Sequence, residues 1–349
     1  MNKHLSYTAI IYFLLRATFI GISFSVLLEH SKQDSWIVIL LSYLIGIIPL
    51  LMVEYIAKYE SDKPFVEKIK LLFPKTNKLI ILIMLIGFFF VTIINFCNLA
   101  NLITSQFLSK TPNIVILISF IIPIILLVSK DNKIIARTSL ILFYIAICLF
   151  ISCVLGLITK FKFANFEPVM TNPIASSIYP YMGFHVMPLF LILFFPNKDI
   201  IPSLKRGYII SAITLFLTFI TIIGILGVEL CLIYQYPEFH ILKRSYEGIL
   251  TVRLENIFAV QCIFDIFIFC VVCLKNCNYL LNIHKGYKQG ILSIVLVIVS
   301  FFLFKFNDIT NNRDIYYLSI AFPTFFTFLL IIFSYKIFIK KRMVKHPKL

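Results

Sequence analysis

Two ionisable residues lie deep inside long apolar runs, where a charge is most expensive. Arg16 sits in "IIYFLLRATFIGISFS" and Asp265 in "FAVQCIFDIFIFCVV". An ionised side chain at mid-bilayer costs at least about 2.5–3.5 kcal/mol unless it finds a partner or water. At 1.5 Å of helical rise per residue, Arg16 lies about 12 Å from one boundary of its run. Asp265 lies about 14 Å from the opposite boundary of its own run, which passes the other way. Across a hydrocarbon core of about 30 Å these depths agree to within about 4 Å. Two arrangements satisfy the cost: a buried Arg16–Asp265 pair joining two helices, or two separate water-filled cavities. Glu54, Glu229 and Lys275 lie near the ends of their runs, where they are expected to snorkel.

Two runs, the first and the sixth, carry residues that loosen a helical backbone. In the first, Gly21 is flanked by Thr18, Ser23 and Ser25. In the sixth, "IASSIYPYMGFHVMP", Pro180 and Pro188 flank Gly183 and His185. Proline removes a backbone donor, so both helices are candidates for a break near mid-membrane. Unwound backbone at that depth is tolerated only where it lines a cavity or is buried in protein. Interrupted helices at corresponding places in two halves mark a transporter-type binding site, here spans 1 and 6 of inverted five-helix repeats. Asn95, Asn98 and Asn101 add amides at a spacing of three on one face of the third span, for interhelical packing or a ligand. His185 is either a group titrating near neutral pH or a packing residue. The expected ligand is a small polar molecule between spans 1, 3, 6 and 8. Thr18, Gly21, Ser23, Asn98, Tyr181, Gly183 and His185 are its candidate contacts. No nucleophile–base constellation and no metal-ligand set is present, so neither enzymatic activity nor a metal or other cofactor is expected. The eight cysteines include a C-x-x-C at Cys270 and Cys273, read as small packing residues in a helix.

The elements that must position these residues follow from composition. The chain has 349 residues, 60% hydrophobic and 14% charged, with a mean hydropathy of +0.97. A soluble domain is about 25% charged and at most half apolar, so that class is excluded. Apolar runs fall at roughly 8–28, 36–57, 79–108, 112–128, 136–157, 174–195, 207–231, 256–282, 290–305 and 315–338. They predict an all-α integral membrane protein with about ten transmembrane helices in one domain, 1–349. The first run is read as a span and not a cleaved leader. The net charge of +16 suggests nucleic acid until its distribution is counted. With a cytoplasmic N-terminus, about 21 of the 32 basic residues fall inside and about nine outside. The charge is therefore a topology signal for cytoplasmic N- and C-termini, and no nucleic-acid partner is expected. The loop over 58–78 carries Phe65, Ile69, Leu72 and Phe73 near helical spacing, which predicts a short amphipathic helix on the inner surface. Trp36 follows the charged turn Glu29–Asp34 at the level expected for lipid headgroups.

Gln33, Asp34 and Trp36 in "KQDSWIVILLSYLIGIIPLL" resemble the QD-x-W turn that opens helix 2 in the spore germination permease family. Tyr236 and Pro237, then Arg253 and Glu255 in "LTVRLENIFAV", resemble that family's YP…R-x-E before helix 8. The resemblance implies membership of the amino acid–polyamine–organocation superfamily and a leucine-transporter-like inverted repeat. It also implies the B subunit of a nutrient germinant receptor in the spore inner membrane, partnered by an A-type membrane subunit and a C-type lipoprotein. Such a subunit binds a small germinant, often an amino acid. The family commonly has a proline after the break in helix 1, and "GISFSVLLEH" lacks it. A working secondary transporter of amino acids or related solutes is the alternative.

Overall fold

The computed structural model describes residues 3–19, 28–234, 236–243, 254–283, 286–306 and 312–345. Among them there are helices and no strand. Six helical segments are long and apolar enough to cross a membrane, and Asn113–Val128 and Ile291–Phe302 are shorter apolar helices beside them. The first helix, α1 (Lys3–Ala17), is buried on every side from Ser6 to Ala17. Burial all round is the mark of a central helix. The second expected span is two helices, α2 (Ser35–Ile45) and α3 (Ile47–Lys58). Pro49 has no N–H for the Ile45 carbonyl, and the Tyr208 hydroxyl donates to the Tyr43 carbonyl at 2.8 Å, which together account for the one-residue interruption at Gly46.

The 58–78 connection holds α4 (Phe65–Leu72), with Phe65, Ile69, Leu72 and the following Phe73 all buried. Next come α5 (Asn77–Gln106), α6 (Asn113–Val128) and α7 (Asn132–Leu157). Two 3-10 turns lead to α8 (Ile174–Leu191). Then α9 (Asn197–Leu226) begins ten residues ahead of the expected span and ends five residues short of it. It stops at Gly227, whose φ of +74° favours glycine. The short helices α10 (Val228–Ile233) and α11 (Pro237–Lys243) precede α12 (Leu254–Leu280). The chain closes with α13 (Gly286–Gln289), α14 (Ile291–Phe306) and α15 (Asn312–Lys345).

Helix α1 packs against α7, α8, α9 and α12. Its approach to α9 depends on Gly207, where an added Cβ would stand 2.6 Å from Ile11 Cβ. Large apolar side chains such as Leu126, Ile141, Leu155 and Phe328 are exposed, as expected for lipid contact. Lys275 does not snorkel as its position near a run end suggested. It is buried, and its ammonium donates to the Val128 and Lys130 carbonyls at 2.9 and 2.8 Å and to Gln289 Oε1 at 3.1 Å. The C-terminal carbonyls of α6 offer the cation a better shell than a stretched side chain would find. Glu54 pairs with Lys58 at 2.6 Å and Lys205 at 3.7 Å.

On the opposite side from α4, Gln33 and Asp34 clamp the segment that leads into α8. Asp34 Oδ1 accepts from the Met170 N–H at 2.7 Å. Its Oδ2 accepts from the N–H groups of Thr171 (3.1 Å) and Asn172 (3.0 Å) and from the Asn172 amide (2.9 Å). Gln33 Nε2 donates to the Pro168 carbonyl at 2.9 Å and to Thr171 Oγ1 at 3.0 Å. The QD pair thus fixes where α8 begins.

Candidate functional site

Helix α1 ends one residue after Arg16, and the Phe19 N–H returns to the Arg16 carbonyl at 2.9 Å. This places the end of a buried helix beside the middle of α8 and α12. Arg16 Nε donates to Asp265 Oδ2 at 3.2 Å, with side chains 1% and 0% exposed. The guanidinium lies 5.3 Å from the Tyr12 ring centre and 5.8 Å from that of Phe150. Gln261 Nε2 donates to the Tyr12 hydroxyl at 3.3 Å. Among the described residues, Arg16 Nη1, Asp265 Oδ1 and Gln261 Oε1 have no hydrogen-bond partner. The contact is one hydrogen bond and not the bidentate fork that Arg and carboxylate can form. Tyr12 and Gln261 were not singled out by the sequence reading. Each stands four residues before a charge, Tyr12 before Arg16 and Gln261 before Asp265, and i,i+4 spacing was the signal that would have found them.

The break expected in α8 is absent: the helix runs unbroken from Ile174 to Leu191 with Pro180 and Pro188 inside it. Pro188 leaves the carbonyl of Phe184, four residues earlier, without its helical donor. Thr18 Oγ1 donates to that carbonyl at 2.9 Å, with the Leu15 carbonyl at 3.2 Å as its local alternative. A side chain from the turn after α1 satisfies the freed group, so the backbone keeps its course.

Phe19 gathers the other candidates on α8. Its ring centre is 5.0 Å from His185, 5.4 Å from Phe184 and 6.5 Å from Tyr181. His185 is fully buried, 3.9 Å from the Tyr43 ring centre, with Nε2 3.3 Å from Ser42 Oγ and no partner on Nδ1 among the described residues. The Tyr181 hydroxyl lies 3.2 Å from Ser31 Oγ, which lies 2.8 Å from Ser35 Oγ. Gly183 is buried on the same helix. Thr18, Tyr181 and His185 therefore lie together where α1, α2 and α8 meet. Asn98 does not join them through its observed contact: its Oδ1 accepts from the Tyr236 hydroxyl at 3.3 Å, while Asn95 bonds its own helix at Val91. Gly21 and Ser23 lie outside the described residues, as does Arg253. Seven cysteines are buried and Cys148 is exposed, and no cluster of metal-ligating side chains occurs among the described residues.

The arrangement is a buried polar centre at the end of a helix, with donors and acceptors in reserve. A family model described as spore germination protein matches residues 1–312. No curated protein matches the chain.

Proposed function

The chain belongs to the spore germination permease family, and from that premise we propose that it is the membrane subunit of a spore germinant receptor. In this reading it binds a small nutrient germinant, of amino-acid type, in a transporter-like pocket and triggers germination. It acts beside an A-type membrane subunit and a C-type lipoprotein in the spore inner membrane, and it is not an enzyme. Ten membrane spans in two inverted five-helix repeats, with both termini cytoplasmic, complete the proposal.

One observation carries the reading: α1 ends at Ala17, deep in the bundle and against α8, with Thr18 on the Phe184 carbonyl and Arg16 on Asp265. A helix ending in the interior leaves carbonyls without intrahelical donors, and those groups are available to a polar ligand. The neighbouring hydroxyls and the unpartnered atoms of Arg16, Asp265 and Gln261 suit a ligand with both donors and acceptors. A secondary transporter of amino acids or similar solutes would use the same features. Deletion in the native spore-former separates the two. Loss of nutrient-triggered germination with unchanged solute uptake supports the receptor, and lost uptake with normal germination refutes it.

A further inference from the structure

Tyr236 and Pro237 stand outside the junction of α1, α2 and α8, on the face away from α4, the outer face in the proposed topology. Helix α11 begins at Pro237, a residue whose fixed φ suits the first helical position. The helix is set into the end of the bundle and not laid across it. Tyr236 is 0% exposed, and its hydroxyl donates to Asn98 Oδ1 at 3.3 Å. Asn98 lies eight residues before Gln106, the last residue of α5, so it is about 12 Å deeper at 1.5 Å of rise per residue. One turn after Tyr236, Phe239 meets Phe107, directly after α5, edge to face with ring centres 4.9 Å apart. Helix α11 also packs against α9 and α12.

Beneath α11 is a cavity of about 20 Å³, room for one water. Glu238 and Ile241 of α11 form one wall, Phe150 and Cys153 of α7 another, and Thr218 and Ile222 of α9 a third. Phe150 is a shared wall, because its ring centre also lies 5.8 Å from the Arg16 guanidinium. A chain of contacts thus runs from α11 through the cavity and Phe150 to the Arg16–Asp265 pair. The inward side of α11 carries the buried Glu238 carboxylate, 4% exposed. A carboxylate is costly to keep from water even when it is paired. Withdrawal of α11 would return Glu238 to water, which offsets the loss of the Tyr236 and Phe239 contacts.

We propose that α11 is a plug over the outer route to the Arg16–Asp265 centre, held shut on α5 by Tyr236 and Phe239, and that it withdraws before a germinant enters. This rests on the polar centre being the germinant's site. Weakening the closed state raises the open fraction, and apparent affinity rises with that fraction. Tyr236→Phe removes one neutral hydrogen bond, worth about fivefold in the closing equilibrium. Cys153 reports the opening, because it lines the cavity at 3% exposure. The full-length protein in lipid nanodiscs is treated with N-ethylmaleimide, and Cys153 alkylation is followed by peptide mass spectrometry. Tyr236→Phe should speed this labelling about fivefold over the wild type. The control Tyr279→Phe loses the 3.0 Å hydrogen bond to Asn132 Oδ1 at the other end of α12, and should leave the rate unchanged. In spores given mixed amino acids, Tyr236→Phe should lower the concentration for half-maximal germination about fivefold. An unchanged Cys153 rate in Tyr236→Phe, or an equal rise in Tyr279→Phe, would overturn the plug. Faster labelling with an unchanged dose response would uphold the plug and refute the germinant site beneath it.

Discussion

Removing either member of the Arg16–Asp265 pair should destabilise the protein at least as much as removing both. The two side chains are 1% and 0% exposed, so water cannot take over the role of a missing partner. Breaking a buried ion pair from one side costs about 3–5 kcal/mol, largely because an uncompensated charge stays behind. The contact here is a single 3.2 Å hydrogen bond, and Arg16 Nη1 and Asp265 Oδ1 are already without partners. That incomplete satisfaction argues for the lower end, about 3 kcal/mol for Arg16→Met and for Asp265→Ala. If the sites were independent, the double variant would lose about 6 kcal/mol; an interacting pair predicts about 3 or less, a coupling energy of at least about 3 kcal/mol. Unfolding in mixed micelles titrated with sodium dodecyl sulfate gives the three free energies. Membrane protein level by quantitative blotting should follow the same order. A double variant whose loss equals the sum of the singles would mean that each charge is solvated on its own and would refute the pairing argument.

Thr18→Val keeps the side-chain shape and removes the hydroxyl from the Phe184 carbonyl, leaving a buried acceptor unsatisfied at a cost of about 1–3 kcal/mol. It should raise the germinant concentration for half-maximal response in a spore germination assay, and an unchanged dose response would detach Thr18 from ligand binding. Asp34→Ala removes the acceptor of four hydrogen bonds, and hydrogen exchange at Met170, Thr171 and Asn172 should speed up by tenfold or more, about 1.4 kcal/mol at least. Exchange unchanged at those three amides would show that the segment holds itself. Burial pushes the Lys68 ammonium down to about 8 while it donates to the Ala57 and Ile56 carbonyls at 2.9 and 3.2 Å. Between that value and the ordinary lysine pKa near 10.4, the unfolded chain binds the extra proton, so stability should rise with pH from about 8 to about 10. Lys68→Met should flatten this rise, and an equal rise in the variant would assign it to other groups. Reporter fusions should place both termini and the 58–78 loop in the cytoplasm, and an external C-terminus would overturn the ten-span proposal.

The amino-acid order alone determines that this chain is helical and embedded in lipid. Long apolar runs allow no other way to satisfy the backbone in a bilayer, and they were legible without any contact being known. The stripe Phe65, Ile69, Leu72 is local in the same sense, because helical periodicity decides which face is buried. Depth counting on antiparallel runs put Arg16 and Asp265 at one level, but level is a single coordinate. That α1 and α12 are neighbours and turn these side chains toward each other depends on packing across 249 residues of sequence. Proline content suggested a broken α8, and the outcome turned on Thr18, a side chain 166 residues away that takes the Phe184 carbonyl. Lys275 looked free to reach water until the end of α6 supplied carbonyls at 2.8 and 2.9 Å. Gln33 and Asp34 read as a motif, yet the segment they hold starts 135 residues later. Sequence fixes which groups are costly to bury, because that cost belongs to each residue's own chemistry. Tertiary structure alone decides which distant partner meets the cost, because hydrogen bonds and ion pairs act over about 3 Å and only packing brings such partners within that reach.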